Sequence, residues 1–275
     1  MNHLVDNIAV VTGAASGIGR ATAIAFADAG CRVVCVDIDE VGLDETRARI
    51  ERAVPDATIG LRTVDVADAE AMDELAASVV DEFDGVDIIV NNAGINITGR
   101  FDQHSLEDFQ RTFDVNLWGV IHGCRAFLPY LRRQNRGHVV NISSIFGVVG
   151  VTGQAAYCAS KFAVRGLSET LHEELAATDI GVSVVFPGCI DTDIIHDATI
   201  HDTTVADDIR NYFTTHGHAP AVVADRIVDA VRRNRHRVVV TPESHVLDLL
   251  RRLAPTLGNR IANRLMSRLL GLTLD

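Results

Sequence analysis

Short apolar, β-branched runs that alternate with segments of helical period are the feature that most constrains the fold of this 275-residue chain. The predicted strands are Ile8–Thr12, Arg32–Val36, Thr58–Val64, Val86–Val90, His138–Ile142, Val182–Phe186 and Arg237–Thr241. The predicted helices are Gly17–Ala29, Val41–Arg52, Ala69–Glu82, Leu106–Arg133, Ala155–Ala177 and Val222–Arg233. This alternation predicts an α/β fold, a doubly wound seven-stranded parallel sheet with helices on both faces. Such a sheet binds ligands beyond the carboxyl ends of its strands.

The length of the chain and its 47% apolar composition suit one large core. We expect one domain that contains the sheet over residues 1–242 and a helical extension over residues 243–275. The first residues are polar and lack the pattern of a secretion signal, which favours a cytoplasmic protein. Five scattered cysteines without a CxxC pair indicate neither a disulfide framework nor a metal site.

Two segments depart from the alternation of strands and helices. Residues 189–219 show little periodicity, and a long loop of this kind in a compact domain is typically a lid or binding loop, so we place the substrate there. Residues 243–272 alternate aliphatic residues with arginine at helical spacing, and Pro255 divides them into two helices. These helices either cover the active-site mouth or a subunit interface, or form an amphipathic surface in peripheral contact with membrane lipid.

A glycine-rich turn between the first strand and the first helix predicts a dinucleotide site. Residues 12–19 have the sequence TGAASGIG, which lets the backbone approach a pyrophosphate at the positive end of the helix. Asp37 follows eighteen residues beyond Gly19, at the end of the second strand. A carboxylate at this position accepts hydrogen bonds from the ribose hydroxyls and repels a 2′-phosphate, so the pattern favours NAD over NADP.

The third and fourth strands end at the same edge of the predicted sheet. Asp65-Val66 follows the third strand, and Asn91-Asn92-Ala93-Gly94 ends the fourth. Each pair also has a simpler reading, since Asp65 could cap the next helix and the Asn-Asn-Ala-Gly turn could supply only left-handed backbone geometry. Their position beside the glycine turn favours contact with the cofactor.

Tyr157 and Lys161 are four residues apart on one predicted helix, so their side chains share a face. An ammonium group beside a phenol favours the phenolate, and we expect Lys161 to lower the pKa of Tyr157 so that it acts as a base nearer neutral pH. Lys161 is the only lysine among 25 basic residues. Ser144, beyond the fifth strand, is placed to donate a hydrogen bond to a substrate oxygen as charge develops on it.

Six motifs occur in an order that is typical of one family: TGAASGIG at 12–19, NNAG at 91–94, VNLWG around Asn116, NISS at 141–144, YCASK at 157–161 and PGCIDT at 187–192. On these motifs the chain resembles the short-chain dehydrogenase/reductase family from about residue 6 to about residue 192. The resemblance implies a Rossmann fold and a homotetramer or homodimer. It also implies a catalytic tetrad of Asn116, Ser144, Tyr157 and Lys161.

The resemblance assigns particular roles within these motifs. Ser144 is chosen over Ser143 because the family's serine lies thirteen residues before its tyrosine, and Asn116 holds a water that links Lys161 to solvent. Pro187-Gly188 packs on the nicotinamide, while Ile190 and Thr192 bond its carboxamide. The predicted cofactor-binding residues are Gly13, Ser16, Gly17, Ile18, Gly19, Asp37, Ile38, Asp65, Val66, Asn92, Ala93, Gly94, Tyr157, Lys161, Pro187, Gly188, Ile190 and Thr192.

The substrate pocket is predicted to be apolar. Its predicted border is Ile95, Ile97, Ile145, Phe146, Val148, Val149 and Val151, although these side chains could instead pack in the core or the lid. We therefore expect an NAD-dependent oxidoreductase that acts on a hydrophobic secondary alcohol or ketone, such as a steroid, a terpenoid or another lipid-like ring. The alternative is a non-catalytic NAD-binding sensor or scaffold protein on the same fold.

Charge and histidine spacing exclude two other kinds of site. The formal charge of −12 argues against general binding of nucleic acid, because a duplex binder presents a net basic face to phosphates. Histidines at 196, 201, 216 and 218 lie in the predicted substrate loop without a spacing that indicates a metal ion.

Overall fold

A computed structural model describes residues 3–269, and a seven-stranded sheet forms its centre. The elements are, in chain order, β1 (Ile8–Thr12), α1 (Gly17–Asp28), β2 (Arg32–Asp37), α2 (Glu40–Ala53), β3 (Ile59–Thr63), α3 (Ala69–Phe83), β4 (Ile88–Asn91), β5 (Ile97–Thr98), α4 (Leu106–Phe113), a π-helical turn (Asp114–Trp118), α5 (Gly119–Gln134), β6 (Gly137–Ile142), a 3₁₀ turn (Ile145–Gly147), α6 (Ala155–Glu174), β7 (Ile180–Phe186), α7 (Asp193–His196), β8 (Thr199–Ile200), α8 (Ala206–His216), α9 (Pro220–Arg233), β9 (Arg237–Val239), α10 (Pro242–Leu253) and α11 (Pro255–Leu269).

The large sheet has the strand order β3-β2-β1-β4-β6-β7-β9, and all of its pairings are parallel. The order reverses direction between β1 and β4, so a crevice opens there at the carboxyl ends of the strands. The predicted doubly wound seven-stranded parallel sheet is therefore confirmed.

Helices cover both faces of the sheet because its central strands are apolar on both sides. On one face α1, α2 and α9 pack against the strands through side chains such as Phe26, Ile50 and Ile227. On the other face α3, α5 and α6 do so through residues that include Met72 and Phe127. Strands buried on both faces appear as nearly continuous β-branched runs, which is the pattern that the sequence shows.

Residues 189–219 differ from the irregular loop that the sequence predicted. They contain α7, β8 and the eleven-residue helix α8, and β8 pairs with β5 in a small parallel sheet. The buried residues Ala206, Ile209 and Phe213 are spaced by three and four, which is the helical period that the sequence interpretation overlooked. We call the segment 189–219 the lid.

The predicted helix Leu106–Arg133 is interrupted by the π-helical turn Asp114–Trp118. A π-helical turn inserts an extra residue into a helix and is frequent at functional sites. It changes the direction of the helix surface at Asn116, which is completely buried.

The C-terminal segment forms two helices, α10 and α11, that divide at Pro255 as the sequence predicted. Their buried residues Leu247 and Ala262 join an apolar cluster with Phe186 and the lid residue Phe213. Whether residues 243–275 form a separate unit stays a prediction, and residues 270–275 lie outside the described part of the chain. No helix within residues 3–269 has the length and apolarity that a membrane crossing requires.

Candidate active site

A cleft of about 590 Å³ opens at the carboxyl ends of the strands. Nearly all of the predicted site residues line it. The exceptions are Gly19 and Asn116, which lie behind its wall. The predicted residues that line the cleft are Gly13, Ser16, Gly17, Ile18, Asp37, Ile38, Asp65, Val66, Asn92, Ala93, Gly94, Ser144, Tyr157, Lys161, Pro187, Gly188, Ile190 and Thr192.

The glycine turn after β1 shapes one end of the cleft. Gly13 and Gly17 have φ values of +66° and +49°, a region that side chains with a Cβ rarely adopt. Gly19 faces inward, where a Cβ would meet the carbonyl of Gly13 and the amide of Asn92. Ser16 begins α1 without a side-chain cap, so the first N–H groups of this helix face the cleft as donors for an anion.

Asp37 at the end of β2 is tied to the glycine turn. Its Oδ2 accepts a hydrogen bond of 2.9 Å from the N–H of Ala15, and its Oδ1 accepts one of 2.8 Å from the N–H of Ile38. These bonds fix the direction of the carboxylate at the cleft wall. The position is therefore negatively charged and preorganised for hydroxyl donors.

The side chain of Asn92 braces the glycine turn. Its Nδ2 donates to the carbonyl of Thr12 at 2.9 Å, and the Thr12 hydroxyl accepts a bond of 3.1 Å from the N–H of Ala93. Asn92 thus holds β1 and β4 together at the crevice, and its amide is occupied by these contacts.

Two further predicted cofactor residues have local partners of their own. Asp65 is exposed after β3 and accepts a bond of 2.9 Å from the N–H of Ala67 in the turn before α3. It does not cap that helix, because Asp68 is the N-cap residue and accepts from the first N–H groups of α3. The lid residue Thr192 packs on the opposite wall, because a Cβ on Gly17 would lie 3.2 Å from its methyl carbon. The lid and the glycine turn therefore meet at the cleft.

Lys161 lies buried beneath Tyr157 on α6. Its Nζ donates a hydrogen bond of 3.0 Å to the carbonyl of Ile142 and lies 5.6 Å from the centre of the Tyr157 ring. Burial lowers the pKa of Lys161 to about 8 from its ordinary value of 10.5. The charge of Lys161 is therefore sensitive to mildly alkaline pH.

The pKa of Tyr157 differs from the sequence expectation. Burial raises it to about 12, while a hydrogen bond with the Ser144 side chain acts in the opposite direction. This direction is opposite to the lowering that the spacing of Tyr157 and Lys161 predicts, because desolvation of the phenolate is the largest cause and the Lys161 ammonium is bonded to the carbonyl of Ile142.

Ser143 and Ser144 have different roles at the end of β6. The Ser143 hydroxyl is buried and donates to the carbonyl of Lys161 at 2.8 Å, so it holds α6 against the sheet. The Ser144 hydroxyl begins the 3₁₀ turn, accepts a bond of 3.1 Å from the N–H of Phe146 and lines the cleft beside Tyr157. Both residues line the cleft, but the Ser143 hydroxyl already donates its hydrogen to the carbonyl of Lys161, whereas the Ser144 hydroxyl only accepts from the N–H of Phe146.

Asn116 in the π-helical turn positions the chain after the NNAG motif. Its Oδ1 accepts a bond of 2.8 Å from the N–H of Ile95, and its Nδ2 donates one of 2.9 Å to the carbonyl of the same residue. A Cβ on Gly94 would lie 3.1 Å from Asn116 Oδ1 and 3.5 Å from Lys161 Nζ. The side chains of Asn116, from the π-helical turn, and Lys161, from α6, thus both lie close to Gly94.

The wider end of the cleft is mostly apolar. Ile95, Ile97, Ile145 and Phe146 line it as the sequence predicted. The predicted border residues Val148, Val149 and Val151 do not line it, because they are buried in the apolar cluster under the lid. The alternative reading of these three valines as core residues is the one that the structure supports.

Several residues that line the cleft were missed by the sequence analysis. They are Val64, Asn96, Arg111, Val115, Tyr212, Phe213, Glu243, Val246, Leu247 and Leu265. Most belong to the lid and the C-terminal helices, where no short motif marks them. The helical period of α8, α10 and α11 was the available signal.

Glu243 at the start of α10 fastens both ends of the lid. Its Oε1 accepts a bond of 3.1 Å from the N–H of Cys189, and its Oε2 lies 3.4 Å from Nε2 of His218. Burial alone would raise the pKa of Glu243, but hydrogen bonds, that from Cys189 among them, and the nearby His218 hold it below its ordinary value. The carboxylate therefore joins the lid to the C-terminal helices.

Neither a thiolate nor a metal ion is indicated in this cleft. Burial, together with the nearby carboxylates of Glu243 and Asp191, raises the pKa of the Cys189 thiol to about 12, so the thiol stays protonated at neutral pH. Within residues 3–269, no three His, Cys, Asp or Glu side chains gather to hold a metal ion.

Comparison with known proteins identifies one matching family model and several similar oxidoreductases. Residues 7–202 match the family model described as short chain dehydrogenase. The putative oxidoreductase SadH of Mycobacterium tuberculosis is 38% identical over 257 residues, which cover 92% of each chain. The probable oxidoreductase EphD of Mycobacterium bovis is 39% identical over 91% of this chain but only 43% of its own length.

Solved structures resemble the fold closely. A short-chain dehydrogenase/reductase from Burkholderia phymatum, crystallised in complex with NAD, superposes with a TM-score of 0.86 at 29% identity, covering 94% of this chain and 96% of the other. Levodione reductase superposes with a TM-score of 0.79 at 25% identity, covering 88% and 98%.

Proposed function

The chain belongs to the short-chain dehydrogenase/reductase family of oxidoreductases, and from this premise we propose that it interconverts a hydrophobic secondary alcohol and its ketone with NAD. The observation that carries the proposal is that Ser144, Tyr157 and Lys161 line the same cleft as the glycine turn and Asp37. Groups suited to proton transfer and groups suited to a dinucleotide therefore face one space.

The choice of NAD follows from Asp37. Its carboxylate is held toward the cleft by backbone N–H groups of Ala15 and Ile38. A fixed negative charge accepts hydrogen bonds from two ribose hydroxyls and repels a phosphate in their place. The relative from Burkholderia phymatum was crystallised with NAD, which supports the same choice.

The residues of the glycine turn fit a pyrophosphate. The uncapped N–H groups at the start of α1 are available to an anion, and Gly13 and Gly17 give the turn at the cleft wall the positive φ angles that it needs. When bound, NAD accepts or supplies the hydride of the reaction.

Tyr157 exchanges the proton with the alcohol oxygen. Its pKa of about 12 keeps the phenol protonated at neutral pH, and a positive charge beside the phenol would lower that pKa and favour the phenolate that acts as the base in alcohol oxidation. In ketone reduction the protonated phenol acts directly as the acid. Ser144 beside it donates a hydrogen bond to the same substrate oxygen and orients it.

Lys161 and Asn116 support Tyr157 from beneath the cleft. The ammonium of Lys161 stabilises a phenolate once it forms, and it is anchored on the carbonyl of Ile142. Asn116 holds the backbone of Ile95 and lies, like Lys161, against Gly94. We assign Asn116 the role of shaping a path by which a water can reach Lys161 and replace its proton.

A screen for turnover tests this function. Purified protein is mixed with NAD and a panel of apolar secondary alcohols, or with NADH and the matching ketones, and NADH absorbance is followed. Turnover of at least one apolar pair supports the proposal. Binding of NAD without turnover of any pair would favour a non-catalytic sensor or scaffold instead.

We also propose that the protein forms a homotetramer or homodimer. Trp118 at the end of the π-helical turn and Phe162 on the adjacent α6 are exposed by 48% and 37%. Gly166, one turn further along α6, has open space where a Cβ would be. Glycine weakens a helix interior by about 1 kcal/mol relative to alanine, so its presence on an open apolar face favours the close approach of a second helix.

The outer face of the C-terminal helices supports a second contact, with membrane lipid. Val246, Leu247 and Leu265 line the mouth of the cleft, which favours the covering role that the sequence analysis considered. A second row of exposed apolar residues points outward. These are Leu249, Leu253, Leu257 and Ile261, and arginines border them.

Such an amphipathic surface at the mouth suits delivery of an apolar substrate from lipid. Co-sedimentation with vesicles that contain phosphatidylglycerol tests this contact. We expect the wild type to bind and the variant L253E/L257E to lose binding. Equal recovery of both proteins in the supernatant would contradict the proposal.

A further inference from the structure

A small chamber adjoins the wide end of the cleft beneath the lid. It has a volume of about 10 Å³, and Asn96, Phe146 and Phe213 belong to the walls of both spaces. The lid residues Ile200 and Ile209 close it from outside. Apart from Asn96 and two residues beside it, its walls are apolar.

Two buried amides face this chamber with incomplete hydrogen bonding. Asn96 and Gln154 are 7% and 3% exposed. Both direct their Nδ2 or Nε2 to the hydroxyl of Thr98, at 3.5 Å from Asn96 and 2.7 Å from Gln154. Among residues 3–269, Asn96 Oδ1 and Gln154 Oε1 have no hydrogen-bond partner.

Buried polar atoms in native proteins nearly always have a hydrogen-bond partner, so these two unpartnered oxygens need an explanation. A buried carbonyl oxygen that lacks a donor destabilises the folded chain, and residues of similar shape, leucine and methionine, would fill the same positions without that cost. The two bonds to Thr98 give a partner to the nitrogen of each amide but leave both amide oxygens without one. A ligand that brings a donor into the chamber would satisfy them.

The geometry also limits the chemistry of that ligand. The Thr98 hydroxyl has one hydrogen, so at most one of the two amides can accept from it and the other must donate its N–H. At least one amide oxygen therefore remains as an acceptor. A hydroxyl group both donates and accepts, and so it fits either orientation of the second amide.

A carboxylate does not fit the chamber. It would place negative charge beside an amide oxygen, and the described residues that line the chamber include no cation. The space is also too small for more than a water-sized group.

We propose that Asn96 and Gln154 form a subsite for a neutral hydroxyl group at the end of the substrate remote from the reacting carbon. Phe146 separates the two ends, since its ring packs edge-on against Tyr157 at 6.3 Å and also lines the chamber. The substrate class is thus an alicyclic or lipid-like ketone or alcohol that carries a second hydroxyl group. This inference rests on the proposed function.

Matched ketones test the subsite. The probes are pairs that differ only in one remote hydroxyl group: cyclohexanone with 4-hydroxycyclohexanone, and 2-decalone with 6-hydroxy-2-decalone. We expect the wild type to prefer the hydroxylated member of at least one pair by about tenfold or more in kcat/KM with NADH, because a site built for a hydroxyl rejects the analogue that lacks it.

The variants N96L and Q154M remove the amides while keeping their shape. We expect each to reduce the preference to about onefold, and we expect Q154M, whose residue lines the chamber but not the cleft, to leave kcat/KM for the deoxy ketone within about threefold of the wild type. The matched control is Q134M, which replaces an amide that bonds the carbonyl of Val86 at the other end of the sheet, and it should keep the full preference.

The possible outcomes separate the subsite from the proposed function. Turnover of the deoxy ketones without a preference in any pair, or a preference that survives in both N96L and Q154M, would overturn the subsite and leave the function intact. The chamber would then hold only a water molecule. No turnover of any ketone would overturn both.

Discussion

Burial of Lys161 disfavours its charged form, which destabilises the folded protein at neutral pH. Its ammonium has one hydrogen bond, to the carbonyl of Ile142, and its pKa falls to about 8. Burial likewise disfavours the charged form of Tyr157 beside it and therefore raises its pKa to about 12. Both groups are therefore neutral between about pH 8 and about pH 12, and a positive charge beside the phenol would shift the balance toward the phenolate.

Replacing Lys161 by methionine should stabilise the cofactor-free protein at neutral pH. The difference between 10.5 and about 8 corresponds to about 3 kcal/mol, from which the lost hydrogen bond removes about 1 kcal/mol. We therefore expect the free energy of unfolding of K161M to exceed that of the wild type by about 1–3 kcal/mol at pH 7, as measured by urea denaturation.

The pH dependence of that difference follows from linkage. Between pH 8 and 10.5 the folded lysine has lost its proton while the unfolded one retains it, so the stability of the wild type rises with pH over this window. The advantage of K161M should shrink from pH 7 to pH 9.5. Tyr157 acts only above about pH 10, where it lowers stability. A constant difference would contradict this account of Lys161.

Replacing Asp37 by serine should relax the choice of cofactor. The carboxylate that repels a 2′-phosphate is removed, while a hydroxyl remains for the nearby N–H groups. A like-charge contact costs several kcal/mol, so we expect the ratio of kcat/KM for NAD to that for NADP to fall about 100-fold. The matched control D39S removes an exposed carboxylate two residues away and should leave the ratio unchanged. An equal fall of the ratio in D39S would refute a specific role of Asp37 in the choice of cofactor.

At the scale of single residues, motif spacing predicted which residues line one cleft, but it did not predict how burial shifts their pKa values. The distance from Tyr157 selected Ser144, and the structure shows why, since Ser143 is buried against Lys161. The spacing of Tyr157 and Lys161 placed them together correctly. That spacing predicted the wrong direction for the pKa of Tyr157. The direction depends on burial, which is a property of the folded site and does not follow from the spacing of two residues on one helix.

Among the elements, α11 controls the shape of the cleft from outside the motifs. Asn259 accepts a bond of 3.0 Å from the N–H of Gly150, and Asn263 accepts one of 2.8 Å from the hydroxyl of Thr152. These contacts tie α11 to the chain between Ser144 and Tyr157. Leu265 on the same helix lines the cleft.

The double variant N259L/N263L should loosen this helix. Loss of two hydrogen bonds costs about 1 kcal/mol each, and the displaced wall should raise KM for an apolar substrate more than it lowers kcat. Steady-state kinetics and urea denaturation measure both effects. The control R260L changes an exposed residue of the same helix and should alter neither KM nor the free energy of unfolding. Unchanged KM in the double variant would argue against a role for α11 at the mouth of the cleft.

The core elements were predictable, whereas the lid and the helix interruption were not. Strands such as β1 and β7 are buried throughout and mostly apolar, so their short apolar runs indicate their positions in the sequence. The strands β5 and β8 have two residues each and exist only because they pair with each other. The π-helical turn at Asn116 likewise depends on contacts with Ile95 and is invisible in helical periodicity.

At the scale of the whole molecule, exposed apolar side chains among residues 3–269 gather on two surfaces in particular. One is the outer face of the C-terminal helices and the other is the face around Trp118, Phe162 and Gly166. Neither follows from the motifs, because exposure depends on how all the helices pack. Apolar faces of this kind on a folded chain mark sites of association.

The face around Trp118 leads to a test of assembly. The variant W118E places a charge in the proposed interface, and we expect it to convert a dimer or tetramer to a smaller species. Light scattering after size-exclusion chromatography gives the mass. The control V41E adds the same charge at a residue that is 72% exposed on α2 and should keep the wild-type mass. A monomeric wild type would contradict the interface.

The whole account depends on the proton chemistry of Tyr157, and comparison of turnover with cofactor binding in Tyr157→Phe tests it most directly. Ketone reduction is followed by NADH absorbance and NADH binding by fluorescence, with Tyr212→Phe as a control that removes another phenol from the cleft wall. We predict that Y157F lowers kcat by at least about 100-fold while NADH affinity stays within about threefold, and that Y212F keeps its turnover. Turnover by Y157F within about tenfold of the wild type would contradict the account.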